Sequence, residues 1–276
     1  MDIFEEIVRL RSQGRRAALA TVVHVNGSIP SFESSRMLVR DDGSIAGTVG
    51  GGCVEADVWA AAKDVILAGQ PRKLTFHLNN DPSYDTGLIC GGTLEIFVEP
   101  ILPSPRLYIF GGGHVSLSLT RAAHDAGFEI AVIDDRESFA NRERFPMATE
   151  ILTSFEEAFD KIVPNSSSYL VIVTRGHKDD MRVLKWAAKT AARYIGMIGS
   201  KRKVLAVYRA LEKEGISPES LAKVHAPVGL EIGAQTPEEI AVSIVAELIA
   251  IRRGASGLTH KKVETASKAV SPAVSD

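Results

Sequence analysis

The sequence predicts an α/β protein made of two unlike parts, a small N-terminal α+β domain followed by a larger domain with a parallel sheet. Three observations carry that prediction. Beyond residue 106 the pattern alternates strand, helix, strand, an order that packs helices on a parallel sheet through right-handed crossovers. A glycine run, Gly111-Gly112-Gly113, joins the first of those strands to a helix. A proline-rich stretch at 100–105 (PILPSP) separates the two patterns, because Pro100, Pro103 and Pro105 each lack the backbone donor of regular structure. The expected boundaries are therefore 1–99, a linker at 100–105, 106–254, and a tail at 255–276.

In the first part, residues 3–13 pattern as an amphipathic helix and residues 17–25 (AALATVVHV) as a short apolar strand. Residues 26–52 are turn-rich around a short strand at 37–39. A helical pattern at 54–68 stops at Gly69, a residue suited to a left-handed cap. Strands are expected at 73–77 and 93–98. In the second part, strands are expected at 107–110, 129–133, 169–174 and 194–198, with helices at 113–126, 178–190 and 202–213. Thr236-Pro237-Glu238-Glu239 reads as a capping box with proline in the first turn, opening a helix that ends before Gly254. The tail from Ala255 has no apolar periodicity and is expected to be disordered.

Composition narrows the function. The 276 residues are 45% hydrophobic and 24% charged, which suits an ordinary globular core and excludes a wholly disordered chain. Lys plus Arg total 32 against 34 Asp plus Glu, a net charge of -2, so nucleic acid is not an expected partner. Neither a leader peptide nor an 18-residue apolar span is visible, which points to a cytoplasmic protein with no membrane contact. Two cysteines cannot staple a chain of this length.

The candidate binding residues cluster at glycine-rich turns. Gly111 permits a tight strand-to-helix turn, and Gly113 lets a phosphate approach the amides of a helix N-terminus. Ser116 stands where the third glycine of the dinucleotide fingerprint is usual, and His114 opens the helix. Asp134 follows the second strand, where an acid that binds a ribose is expected; together these features define a Rossmann-type domain. His177 sits at the next strand-to-helix junction. Ser200 and Lys201, followed by Arg202 and Lys203, offer a further anion site, the bland alternative being a solvated helix face. His114, His177 and His225 could gather round a metal, although their spacing fits no zinc pattern. Cys53 ends Gly50-Gly51-Gly52-Cys53 before a helix, whose dipole favours the thiolate, and Cys90 begins Cys90-Gly91-Gly92. Glycine leaves room beside either sulfur for a persulfide, a metal or a bulky ligand.

With these strings in place, the chain resembles the XdhC/CoxI family, accessory proteins of xanthine dehydrogenase and related molybdenum hydroxylases. The resemblance rests on Gly27-Ser28-Ile29-Pro30, Arg36-Met37-Leu38-Val39, residues 47–55 (GTVGGGCVE), Cys90-Gly91-Gly92, the 111–114 turn, and residues 174–180 (TRGHKDD). It continues through residues 194–203 (YIGMIGSKRK), residues 225–234 (HAPVGLEIGA) and the helix after Thr236. Two departures stand out: Ser31 where the family usually has arginine, and Ser34-Ser35 where it usually has a glycine.

The resemblance implies a chaperone that binds molybdenum cofactor, supports its sulfuration with a cysteine desulfurase, and inserts it into xanthine dehydrogenase or a related hydroxylase of purine catabolism. It implies a homodimer, and Cys53 or Cys90 as a molybdenum or sulfur ligand. The chain lacks the cysteine set of an iron–sulfur enzyme, so it is not expected to be the dehydrogenase itself. Two other readings stay open: an NAD-dependent oxidoreductase, and a nucleotide-sensing subunit, both using the Gly111–His114 cleft.

Overall fold

A computed structural model of the chain describes residues 2–27, 33–78 and 92–255. Ser28-Ile29-Pro30, Ser31, Cys90-Gly91 and the tail beyond Ala255 lie outside the described residues.

The N-terminal half runs α1 (Ile3–Ser12), β1 (Ala17–Gly27), β2 (Arg36–Arg40), β3 (Ile45–Gly47), α2 (Gly52–Ala68), β4 (Arg72–His77) and β5 (Gly92–Ile101). Its strands form an antiparallel sheet in the order β3-β2-β1-β5-β4. Period-two alternation divides the side chains between the faces. Ala18, Ala20, Met37, Val39, Ile96 and Val98 pack under α2, whose Val58, Ala62 and Val65 return the contact. Ala17, Leu19 and Leu38 point the other way and pack with Leu10 of α1. Buried Glu6 of α1 accepts from Arg9 and from Arg40 of β2, at 2.7 Å each, and so clasps that helix to the sheet. Ser34, at one of the two family departures, takes a left-handed φ of 71°, a conformation glycine adopts without strain.

Two expectations need correction here. Pro100 does not end regular structure: β5 continues to Ile101, paired with Ala18 and Ala17 of β1. β4 stops opposite Val98, so at Pro100 the missing donor faces a side with no partner strand. The three-residue strand β3, which pairs with β2, was not expected, since its pattern is too short to stand out from a turn.

The C-terminal half runs β6 (Arg106–Phe110), α3 (His114–Asp125), β7 (Glu129–Ile133), β8 (Glu150–Leu152), α4 (Phe155–Lys161), β9 (Ser168–Ile172), α5 (His177–Ala187), β10 (Tyr194–Met197), α6 (Lys201–Lys213), α7 (Pro218–Leu221) and α8 (Pro237–Arg253). All five strands are parallel, in the order β10-β9-β6-β7-β8. This is the expected Rossmann-type parallel-sheet domain. β8, α4 and α7 are additions to the expected elements, each of at most seven residues.

Strands covered on both faces read as unbroken apolar runs, and β6 shows why. Tyr108 and Phe110 pack toward α4, α5 and α6, whereas Leu107 and Ile109 pack toward α3 and α8. Burying each such side chain contributes about 1.5–3 kcal/mol. The capping box forms at α8 as the sequence predicts, Thr236 and Glu239 bonding each other's backbone, and Gly254 closes the helix in a left-handed conformation. No helix among the described residues is long and apolar enough to cross a membrane.

Chain order reverses between β6 and β9: β7 and β8 lie on one side, β9 and β10 on the other. Such a switch point opens a crevice at the carboxyl edge, where ligands of parallel sheets sit.

Candidate functional site

Gly111 makes that crevice possible. Its φ is +117°, and a Cβ there would lie 2.4 Å from the carbonyl oxygen of Val173 on the neighbouring strand's exit. Only glycine fits. Gly112 is also tight, with a Cβ position 2.7 Å from the Phe139 carbonyl oxygen. Gly113 is the opposite case, because nothing lies within 4 Å of its Cβ position. It is the N-cap of α3 and supplies no side-chain cap, so the first amides of the helix are open toward the cleft. Ser116 is buried, and its Oγ donates to the Gly111 carbonyl at 2.5 Å. It takes the third glycine's place by tying helix to turn.

Asp134 is where the fingerprint puts it, and its carboxylate is engaged by donors of the chain itself. The residue is 3% exposed. Its Oδ1 accepts from the Arg136 amide at 3.1 Å and from Arg136 Nε at 2.8 Å. Its Oδ2 accepts from the Gly112 amide at 2.7 Å and from Arg136 Nη2 at 2.8 Å. Burial pushes the pKa of this carboxyl up, but the Arg136 guanidinium and the two amides outweigh it and hold the group below its ordinary value. The same pairing raises Arg136, whose guanidinium stacks 3.6 Å from the Phe139 ring centroid.

Arg136, Phe139, Gly113, His114, Thr174 and Arg175 line a hollow of about 400 Å³ over the switch point. His114 is exposed at its rim. Arg175 Nη2 reaches across from the β9–α5 loop to Asp135 after β7, at 3.2 Å, bridging the two halves of the sheet. Thr174 Oγ1 donates to buried Asp180 at 2.7 Å. His177 is exposed in the first turn of α5, beside another hollow of about 540 Å³ that shares Arg175.

The expected anion site after β10 is only partly free. Gly199, Ser200 and Lys201 line a third hollow of about 630 Å³, which meets the first at Ile198. Ser200 Oγ accepts from the Lys203 amide at 3.3 Å, capping α6. Lys203 turns away and ion-pairs with Asp180, so it is not one of three free cations. Lys201 is exposed.

Among the described residues, no group of three His, Cys, Asp or Glu is placed to hold a metal, so His114, His177 and His225 form no such centre. His225 instead bonds Glu247 of α8 at 2.7 Å, and Glu247 also accepts from Tyr194 Oη at 2.6 Å and the Gly229 amide at 2.7 Å. Burial raises the Glu247 carboxyl, and these partners more than reverse it. This cluster straps residues 225–229 to α8. Sequence reasoning missed Glu247 because a single acid in an apolar helix carries no motif.

In the N-terminal half, Cys53 is the second residue of α2 and is exposed. Gly50, Gly51 and Gly52 all have positive φ, of 124°, 79° and 66°. The Cβ positions of Gly51 and Gly52 meet nothing within 4 Å. Glu55 holds this loop, accepting from Thr48 Oγ1 at 2.7 Å and the Gly51 amide at 3.1 Å. The thiol therefore stands at an uncapped helix start beside open glycine backbone. Cys90 lies outside the described residues.

The fold and this crevice define a protein with an antiparallel N-terminal sheet and a Rossmann domain open at its switch point. Residues 107–248 match the XdhC Rossmann domain and residues 10–77 match the XdhC and CoxI family. The chain belongs to the XdhC/CoxI family.

It is 35% identical over 259 residues to the uncharacterized protein YqeB of Escherichia coli, covering 93% of this chain and 47% of that protein. It is 34% identical over 164 residues to a probable xanthine dehydrogenase subunit of Bacillus subtilis, covering 58% of this chain and 47% of that protein. The chain thus spans about half the length of these two relatives. The molybdenum cofactor insertion chaperone PaoD of Escherichia coli is 24% identical over 272 residues, with 87% of this chain and 84% of PaoD covered. Among solved structures, a xanthine dehydrogenase from Bacillus halodurans is similar at a TM-score of 0.51 and 25% identity, over 93% of this chain and 97% of that one.

Proposed function

We propose that this chain is an accessory protein that carries molybdenum cofactor to xanthine dehydrogenase or a related molybdenum hydroxylase. The observation that carries the reading is the open amide turn at Gly113, set in a crevice beside Arg136 and Arg175, in a chain related to PaoD.

The residues present suit such a cargo. A pterin phosphate needs backbone donors without a competing side-chain cap, and Gly113 supplies them; Lys201 adds an exposed cation nearby. Thiolate is a suitable soft ligand for molybdenum or for sulfur bound to it, and Cys53 is an exposed thiol with room around it. The metal would supply the site for exchange of an oxo for a sulfido ligand, and a cysteine desulfurase is the proposed sulfur source. Cys53 and Cys90 are both candidate ligands, and a homodimer in the cytoplasm is the proposed working form.

The test is what the protein carries. Purified from cells that make the cofactor, it should contain molybdenum and yield the fluorescent oxidised pterin. Cys53→Ala should fold normally yet lose most of its molybdenum, and leave a co-expressed xanthine dehydrogenase low in activity, with Cys90→Ala as the internal comparison. If the wild type carries tightly bound NAD and no pterin, the oxidoreductase reading replaces this one.

A further inference from the structure

We infer that Arg136 is the specificity residue of the β6–α3 cleft: by occupying Asp134 it withdraws the carboxylate that would read a ribose diol. The cleft then refuses NAD-type dinucleotides.

Hydrogen-bond capacity limits what Asp134 can accept. An ionised carboxylate offers about four acceptor sites. Asp134 already has four donors: the amides of Gly112 and Arg136, and the Nε and Nη2 of Arg136. A ribose that chelates this acid brings two hydroxyl donors and must displace the guanidinium to make its bonds.

Displacement is opposed by how Arg136 is held. Its guanidinium lies on the Phe139 ring. The Phe139 and Ala140 amides donate back to the Arg136 carbonyl, at 2.8 and 2.9 Å, which closes the loop on itself. The Phe139 carbonyl in turn sits against Gly112, so loop and glycine turn lock together. Moving the arginine would leave a buried carboxylate short of partners.

The two ends of the cleft are therefore unlike. At Gly113 the backbone is open and its helix uncapped. At Asp134, where a ribose would be gripped, the acceptor sites are filled. A Rossmann fingerprint is thus present without the recognition that normally accompanies it. This selectivity belongs to the cleft and does not depend on molybdenum cofactor being the cargo.

The experiment is an equilibrium titration of the full chain with NAD+ and with 2′-deoxy-NAD+, which lacks one diol hydroxyl. The wild type should bind both weakly and alike, within about twofold, and tight binding of NAD+ by the wild type overturns the inference. Arg136→Ala frees Asp134, so it should bind NAD+ about tenfold tighter than the wild type does, and about tenfold tighter than it binds the deoxy analogue. Arg136→Leu, which keeps an apolar contact with Phe139, serves if the alanine variant does not fold. A wild type that prefers NAD+ to its deoxy analogue by about tenfold overturns the inference. So does a folded Arg136 variant with no gain in NAD+ affinity.

Discussion

The β6–α3 and β10–α6 junctions occupy the same edge of the same sheet, and both run from strand through glycine into helix. In sequence both are candidate anion sites, and the β10–α6 junction adds the cations Lys201, Arg202 and Lys203. Their N-caps separate them. Gly113 offers no side chain, and the first amides of α3 stay open. Ser200 Oγ already accepts from an amide of α6, and Lys203 turns to Asp180. A run of cations therefore says less about anion binding than the residue that caps the helix. α2 and α5 share the uncapped pattern, with Gly51 and Gly176 at their N-caps, and these helices carry Cys53 and His177. By contrast α1, α4, α7 and α8 begin with Asp2, Ser154, Ser217 and Thr236, each satisfying its own helix.

The sharpest way to probe the contrast is within the first junction. Gly111→Ala should be severely destabilising, by about 3 kcal/mol or more, because the new Cβ meets the Val173 carbonyl and the backbone is in the glycine region. Gly113→Ala should cost no more than about 1 kcal/mol, the difference between glycine and alanine at an N-cap, since its φ is negative and the space is open. Thermal or urea unfolding reads both. Equal losses at the two positions would mean the turn is uniformly tight and the cradle is not open.

A smaller effect is expected at Asp134. Asp134→Asn should cost about 2 kcal/mol at neutral pH, through the loss of a buried charge partner for Arg136. Because the folded carboxyl lies below its unfolded value, its contribution is present above the ordinary aspartate range and is lost as pH falls through the lower folded value. The gap between wild type and Asn variant should be constant above about pH 5 and close below about pH 4 in urea titrations at stepped pH. A gap that does not vary with pH would show that the carboxylate's charge is irrelevant.

At the β10–α6 junction, Ser200→Ala should lose about 1 kcal/mol, the ordinary worth of an N-cap. An unchanged midpoint would mean that Ser200 is free for a ligand after all, and the two junctions would then be alike.

Much of this molecule is legible in one dimension. Helix stops, the capping box at Thr236, the apolar strands of the parallel sheet and the place of Gly111 all follow from local chemistry. Short elements such as β3 and β8 were not legible, because three residues carry too little pattern to stand apart from a turn. The candidate site divides the same way. Which residues reach the carboxyl edge could be read from strand-to-helix order, since a parallel sheet sends every such junction to one side.

What those residues do there was decided by folding. Asp134 has the sequence position of a ribose ligand, yet Arg136, two residues on, fills its acceptors. Lys203 reads as a free cation until α5 and α6 come together and give it Asp180. Glu247 lies 22 residues from His225 and 53 from Tyr194, and only packing brings the three into contact. Sequence by itself determined the longer strands and helices, their order along the chain, and the glycine turns, because these depend on backbone sterics and apolar periodicity over a few residues. The folded structure decided which polar groups remain available, because hydrogen-bond capacity is finite and its competitors come both from the same loop, as Arg136 does, and from distant parts of the chain, as Asp180 and Glu247 do.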